Sequence, residues 1–401
     1  MPRVEIEKTR KLWLDRSKIC SKRNQLPDPS KLTNFRKGRS NHVPNFLPPE
    51  TFPAHELVGV PVVVTGATGF IGGALVRALL ASGAEVTTLH RGPHGRAAME
   101  ALGARARVVP LKAGPALASA LSGQQVLFNF AYDVRAGAED NLKAFAALHD
   151  AAISAGIERF IHAGSAVVYD AWPKGPVTED GSCDSPVHDP YRIAKRSMDQ
   201  TLMNGTLPAI ILQPTIVYGP GSSLWIERPI AAMRQGGVVL PEPVGRCSAV
   251  FVGDVVQAAL RAAILPDPGR ERFLISGPDT PSWADYWHAI RGLAGQGEVI
   301  LEPLGQLTAE AGPTPISQTA TRPPLAARIS AAGRRILGHE RFESLVARAQ
   351  QVRGPSGPVR PDHAALELYA SDPSVSIEKA QARLGYAPRY SFSAGINACR
   401  A

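Results

Sequence analysis

The sequence predicts an α/β fold, a doubly wound parallel sheet of Rossmann-like type with a smaller C-terminal lobe. Two observations carry this. Short apolar runs of strand character alternate with amphipathic helical stretches from residue 60 onward. The first such run, V60-P-V-V-V-T-G-A-T-G-F-I-G-G73, breaks into a glycine-rich turn and continues as a helix. Gly66, Gly69 and Gly72 have the spacing of a turn whose backbone must come close to a pyrophosphate. The helix that follows would point its free N–H groups and its positive dipole end at that anion.

The elements follow in order. β-Branched Val62, Val63 and Val64 form the first strand, and Ile71, Leu75, Leu79 and Leu80 give the next helix an apolar stripe. Residues Ala84 to His90 read as a second strand, Arg107 to Leu111 as a third, Gln125 to Ala131 as a fourth and Arg159 to Ala163 as a fifth. Helical patterns lie at Arg96–Leu102 and at Glu139–Ala155, the latter with Leu142, Phe145, Leu148 and Ile153 at helical spacing. A helix opens at Pro190, and the strand Ala209 to Pro214 follows. Phe251 to Ile264 reads as a strand end and then a helix, with a short strand at Phe273 to Ser276. Helices are expected near Leu325–Leu337 and Arg341–Val352; the first, with Ile329, Ile336 and Leu337 against Arg328, Arg334 and Arg335, reads as a surface helix docked on the protein.

Composition bounds the partners. Residues 1–41 hold 12 Lys or Arg against 4 Asp or Glu, which is eight of the nine net positive charges, so the remainder of the chain is near neutral. That leaves no groove-sized basic face, and nucleic acid is not an expected partner. Residues 1–57 read as a basic, disordered arm whose partner is left open, 58–265 as a nucleotide-binding domain, and 266–401 as a substrate lobe carrying an insertion and drawing also on about 221–247. Cys20, Cys183, Cys247 and Cys399 are far apart, which argues against a disulfide framework or a metal site and fits a reducing, cytoplasmic setting. No apolar stretch reads as a membrane span.

Two further stretches could carry chemistry. Tyr191 and Lys195, four apart behind Pro190, share one helix face. A neighbouring ammonium is expected to lower the tyrosine pKa toward the working range of a general acid/base. Ser165, in Gly164-Ser165-Ala166, follows the fifth strand at the carboxyl end of the sheet, where ligands of such folds bind; its hydroxyl could meet an oxygen held by Tyr191.

With these motifs in order, the chain resembles an extended short-chain dehydrogenase/reductase of the NAD-dependent epimerase/dehydratase superfamily. The matching pieces are TGATGFIGG at Thr65–Gly73, the helix beginning at Asn141, HAGSAVVYD around Ser165, YRIAK at Tyr191–Lys195, PTIVYGPG at Pro214–Gly221 and VFVGDVVQAA at Val250–Ala259. They cover about residues 59–275, and the likeness returns in SIEKAQARLGYAPRYSFSAGI near the C-terminus. The resemblance implies that Tyr191 is the acid/base, that Ser165 orients the reacting oxygen, that Lys195 binds the nicotinamide ribose, and that Asn141 has a structural or proton-relay role. It implies a cofactor site at Gly66, Thr68, Gly69, Phe70, Ile71, Gly72, Arg91, Ala131, Tyr191, Lys195 and Pro214, a small-molecule substrate and hydride exchange with a secondary alcohol or ketone. A homodimer is compatible with it.

Departures from the family pattern sharpen the reading. Leu89-His90-Arg91-Gly92 lacks the acid that NAD-preferring members place after the second strand, and Arg91 could pair with a 2′-phosphate, so NADP is expected ahead of NAD. Lys112-Ala113-Gly114 replaces the usual acidic residue near the adenine. Ala-Val-Val-Tyr after Ser165 lacks the Asp-Glu pair of sugar dehydratases, and Arg246 is offset from the arginine that often holds a diphosphate in nucleotide-sugar epimerases. The expectation is an NAD(P)-dependent oxidoreductase, with a nucleotide-sugar epimerase and a non-catalytic NADP sensor as the alternatives.

Overall fold

The fold was taken from a computed structural model, which describes residues 54–312 and 357–400. The expected N-terminal arm, apart from its last residues, and the expected helices at 325–337 and 341–352 lie outside the described residues. The central sheet has seven parallel strands: β1 (Pro61–Thr65), β2 (Glu85–His90), β3 (Arg105–Val108), β4 (Val126–Asn129), β5 (Arg159–Ala163), β7 (Ala209–Pro214) and β11 (Arg270–Ile275), in the order 11-7-5-4-1-2-3. Short pairs lie outside it: β6 (Pro176–Val177) with β13 (Ser374–Val375), β8 (Ile216–Tyr218) with β10 (Ala249–Phe251), and β9 (Gly237–Glu242) with β12 (Glu298–Pro303).

Strands buried on both faces explain the run of valines. Val62 and Val64 face one core, and Val63 faces the other, as the two-residue period of a strand requires. The first core packs β1 against helix α1 (Phe70–Ala81) through Leu75 and Leu79, and against α7 (Val252–Ile264) through Val255 and Val256. Between α1 and α7 in the chain lie α2 (Arg96–Leu102), α3 (Pro115–Leu121), α4 (Ala138–Ser154), α5 (Pro190–Asn204) and α6 (Arg228–Gln235). The second core is closed by Leu117 and Leu121 of α3, Phe145 and Leu148 of α4, and Met198 and Leu202 of α5.

Most element boundaries differ from the sequence reading by one to three residues, and two differences have a physical reason or consequence. The third strand is Arg105–Val108 rather than 107–111, because its ladder with β2 ends when Val109 N donates to His90 O and Pro110 has no N–H to continue it. Strand β11 adds to the main sheet beyond the expected boundary at residue 265, so the sheet draws on residues through Ile275. Helix α3, opened by Pro115, has no counterpart in the reading.

The lobe is built on the β9–β12 pair, with α6, α8 (Trp283–Ala294), α9 (Leu304–Ala311) and α10 (His363–Ala370) around it. Trp283, Tyr286 and Trp287 of α8 are buried beside Tyr369 and Phe392, the last on the terminal helix α11 (Phe392–Ala398). No helix among the described residues is long and apolar enough to cross a membrane.

Candidate active site

The sheet order reverses between β1 and β4, and the crevice outside the carboxyl ends of these strands is where the glycine turn lies. Gly66 has φ +72°, and a Cβ there would stand 2.4 Å from Phe130 O, the residue after β4. At Gly72 a Cβ would stand 2.2 Å from Gly66 O. Both glycines are therefore required by close backbone approach. The N-cap of α1, Gly69, makes no side-chain cap hydrogen bond, and Thr68 and Gly69 are exposed beside its unpaired N–H groups. This cradle fits a dinucleotide pyrophosphate, with Phe70 and Ile71 partly exposed on the first turn.

Ala131 continues from β4 on this side of the sheet, and Pro214, buried, ends β7. Arg91, at the end of β2, is exposed and forms an ion pair with Asp133 in the loop after β4. That pair holds Asp133 below the ordinary carboxylate range against the opposing effect of its burial. Asn141 does structural work: its amide donates to Asp133 O and Gly137 O, both at 3.0 Å, and its oxygen accepts from Asp133 N at 2.9 Å. It ties the loop that carries Tyr132 and Asp133 to the first turn of α4.

Tyr191 and Lys195 come from α5, whose start is fixed twice. Pro190 occupies the first turn, and the Asp189 carboxylate caps it, accepting from Tyr191 N at 3.2 Å and Arg192 N at 3.1 Å. Ser165, buried at the end of β5, lies close enough to the Tyr191 phenol to favour its ionised form, and its Oγ accepts from Val167 N at 3.4 Å. Ser165, from the loop after β5, and Tyr191 and Lys195, from α5, thus stand together at the carboxyl end of β5. The Tyr191 ring meets Tyr132 edge-on, with centroids 4.9 Å apart. Lys195 is buried; its Nζ donates to Ala163 O at 2.5 Å and stands 5.0 Å from the Tyr132 ring and 5.8 Å from the Tyr191 ring.

The electrostatics correct one expectation. Burial pushes the Tyr191 phenol up to about 12, the nearby Ser165 hydroxyl works against this, and Tyr132, Asp199 and Asp189 add to the rise. The expected lowering by Lys195 is not seen, because the lysine is turned to the Ala163 carbonyl and is itself pushed down to about 8 by burial. Behind the site a buried polar chain crosses the sheet: Thr65 Oγ1 donates to Asn129 Oδ1 at 2.7 Å, and Asn129 Nδ2 lies 3.1 Å from His162 Nδ1. His162 is held neutral by its burial and by Lys195.

Sequence reasoning missed Tyr132, Asp133 and Asp199. Asp199 had a signal, since it continues the Tyr191 and Lys195 series by one more helical turn. Arg246, weighed as a diphosphate ligand, donates instead to Thr280 O and lies 3.9 Å from Asp372, while Cys247 beside it is fully buried. Among the described residues no group of His, Cys, Asp or Glu is placed to hold a metal ion.

Comparison with known proteins agrees with this architecture. A family model described as NAD dependent epimerase/dehydratase matches residues 62–275. A 4-hydroxy-2-methyl-3-oxo-4-farnesyl-3,4-dihydroquinoline-1-oxide ketoreductase of Stigmatella aurantiaca is 26% identical over 354 residues, 84% of this chain and 95% of that protein. Among solved structures, an epimerase of Methanothermobacter thermautotrophicus matches with TM-score 0.62 at 18% identity, covering 86% of this chain and 92% of its own. MoeE5, in complex with UDP-glucuronic acid and NAD, matches at 0.58 and 22% identity over 84% and 97%. The UDP-glucose 4-epimerase of Thermotoga maritima, with UDP-glucose, does so at 0.58 and 18% over 85% and 97%. These structures share the fold.

Proposed function

Because the chain belongs to the NAD-dependent epimerase/dehydratase family, we propose that it is an NAD(P)-dependent oxidoreductase that reduces a ketone, or oxidises the matching secondary alcohol, with Tyr191 as the acid/base. The observation that carries this is the meeting of Ser165, Tyr191 and Lys195 beside the glycine cradle. The cofactor, when bound, gives or takes a hydride at its nicotinamide ring. This chain's residues do the rest. Ser165 fixes the substrate oxygen, and Tyr191, protonated at neutral pH as a phenol ordinarily is and the more firmly for its burial, hands that oxygen a proton. Lys195 supplies positive charge beside the phenol and hydroxyl-binding capacity toward a ribose. Gly66, Thr68, Gly69, Phe70, Ile71, Gly72, Ala131 and Pro214 would hold the dinucleotide, with Arg91 favouring NADP over NAD.

Carbonyl reduction is favoured over the nucleotide-sugar epimerase reading by the region before α7. There Arg246 donates to Thr280 O and stands 3.9 Å from Asp372, and Cys247 is buried, so Arg246 would have to leave the Thr280 carbonyl to meet a diphosphate. The ketoreductase relative supports the same choice. The epimerase reading keeps the support of sugar-nucleotide-binding structural neighbours.

The test is turnover with NADPH and NADH over a panel of ketones and sugar nucleotides, in the wild type and in Tyr191→Phe. The variant should fold and bind cofactor but lose on the order of 100-fold or more in kcat. Unchanged turnover in Tyr191→Phe would remove the mechanism. Racemised or epimerised product with no net change in the cofactor would replace reduction by epimerisation.

A further inference from the structure

Asp199 lies one helical turn beyond Lys195 on α5 and is 3% exposed. A buried carboxylate persists only where something compensates its lost hydration. One compensation is visible. Gln213 Nε2, on β7, donates to Asp199 Oδ2 at 2.8 Å, and Gln213 Oε1 accepts from the Tyr169 hydroxyl at 2.6 Å. The chain of donors has a direction. The Tyr169 hydroxyl donates to the Gln213 oxygen at 2.6 Å, a shorter contact than its 3.4 Å approach to Glu179 O, which turns the Gln213 NH₂ to the carboxylate. Each hydrogen bond in the series therefore favours the charged form of Asp199.

The other oxygen, Oδ1, is buried with no hydrogen-bond partner among the described residues. It borders a cavity of about 110 Å³ lined by Val168, Cys183, Arg196, Met203 and Arg272, polar enough and large enough to hold water. The charged and titratable groups facing Asp199 are Tyr191, Lys195 and Arg196 on its own helix, Arg272 on β11, Cys183 in the loop before α5, and Tyr169 through Gln213. Lys195 in turn faces His162, Tyr132 and Tyr191, none of which carries negative charge at neutral pH. Its carbonyl partner, Ala163 O, supplies a dipole and no charge.

We propose that Asp199 is the counter-ion that keeps Lys195 charged, a positioning residue oriented by Tyr169 and Gln213. The inference rests on the reading that Lys195 serves the Tyr191 site. The two side chains lie on one face of α5, one turn apart and both buried, without a direct ion-pair contact; burial drives Lys195 down and Asp199 up, and each charge opposes the shift of the other. Without the carboxylate, nothing negative restrains the fall of Lys195. The lysine then loses its proton at lower pH, and with it the positive charge next to the phenol.

Two measurements test this. The first needs no substrate: thermal unfolding midpoints of the cofactor-free wild type, Asp199→Asn, Lys195→Met and the double variant, at about pH 7.5 and about pH 5. At the higher pH the double variant should lose less than the sum of the singles. At the lower pH, where Asp199 is protonated, the difference should shrink. Additive losses at both pH values would make Arg272 the partner and overturn the proposal. The second is the pH profile of kcat/KM, in which the high-pH fall should move down by about one unit or more in Asp199→Asn and return in Asp199→Glu. A uniform loss with the fall unmoved would mean that Asp199 is structural, and would equally overturn it. Gln213→Leu should give a smaller shift in the same direction, and serves if Asp199→Asn does not fold. If Tyr191→Phe keeps full activity, the reading of the site fails, while the unfolding cycle still decides whether Asp199 and Lys195 are coupled.

Discussion

At the scale of single residues, the cofactor choice turns on Arg91. Its guanidinium is exposed and its partner among the described residues is Asp133, itself only partly buried. A surface ion pair of this kind is worth about 1 kcal/mol or less. A 2′-phosphate brings more charge and three acceptor oxygens to the same guanidinium, so it can displace Asp133 at little cost. Arg91→Ala should therefore weaken NADPH binding about tenfold or more and leave NADH within about threefold, measured by titrating the quenching of protein fluorescence. An equal effect on both would place the 2′-position elsewhere. Arg91 itself stood out in the sequence because it occupies the place of an acid after β2. Its pairing with Asp133 did not, because that contact joins residues 42 apart through a loop whose path is set by Asn141. The glycines were legible for the opposite reason: Gly66 and Gly72 answer to a local turn, and the clash that a Cβ would cause lies within that turn or one strand away.

At the scale of elements, α5 organises the chemistry, since it carries Tyr191, Lys195 and Asp199 on one face at four-residue intervals. Its first turn bears Tyr191, so the cap that fixes that turn also fixes the phenol. Removing the Asp189 carboxylate in Asp189→Ala should cost about 1 kcal/mol in stability. It should also lower kcat more than it raises KM, because Tyr191 N and Arg192 N lose their acceptor and the ring is held less closely to Ser165. Denaturant unfolding together with steady-state kinetics would measure both, and a stability loss with unchanged kcat would separate the cap from the site. The helix was readable from Pro190 and its spacing. The charge state of its tyrosine was not. Spacing places an ammonium near a phenol but does not show where Nζ points, and here it points at Ala163 O, leaving burial to dominate Tyr191. Elements with strong local patterns, such as β1, β5 and α2, were read closely, whereas β9 and β12 pair across a long sequence gap and carry no pattern of their own.

At the scale of the whole molecule, the motif VFVGD and the C-terminal stretch are two halves of one joint. Asp254, in the first turn of α7, accepts from Arg389 N at 2.8 Å and Tyr390 N at 3.3 Å, and Gln257 on the next turn accepts from Ala387 N at 3.0 Å. Asp279, after β11, accepts from Phe392 N, and the Tyr386 hydroxyl donates to Ser276 O at 2.8 Å. The last segment thus packs on α7 and the end of β11, both within the stretch that the family model matches. Asp254 is a clasp rather than a catalyst, and its titration should be visible in stability. Burial raises its pKa to about 6, with the two backbone N–H groups and Arg389 opposing. A carboxyl whose folded pKa lies above its unfolded value of about 3.9 favours the folded state below that value, and loses this contribution as pH rises through about 6. Asp254→Asn keeps the shape and one of the two acceptor oxygens and removes the titration, so the fall in unfolding midpoint that wild type shows between about pH 4 and about pH 6.5 from this group should flatten in the variant. Asp254→Ala removes the acceptors as well, leaves two backbone N–H groups to find water, and should lower the midpoint across the whole range. Limited proteolysis read by mass spectrometry would then find new cleavage between Tyr386 and Phe392 in Asp254→Ala and none in Asp254→Asn; cleavage in neither would show that apolar contacts of Tyr386, Phe392 and Ile396 hold the segment without the clasp.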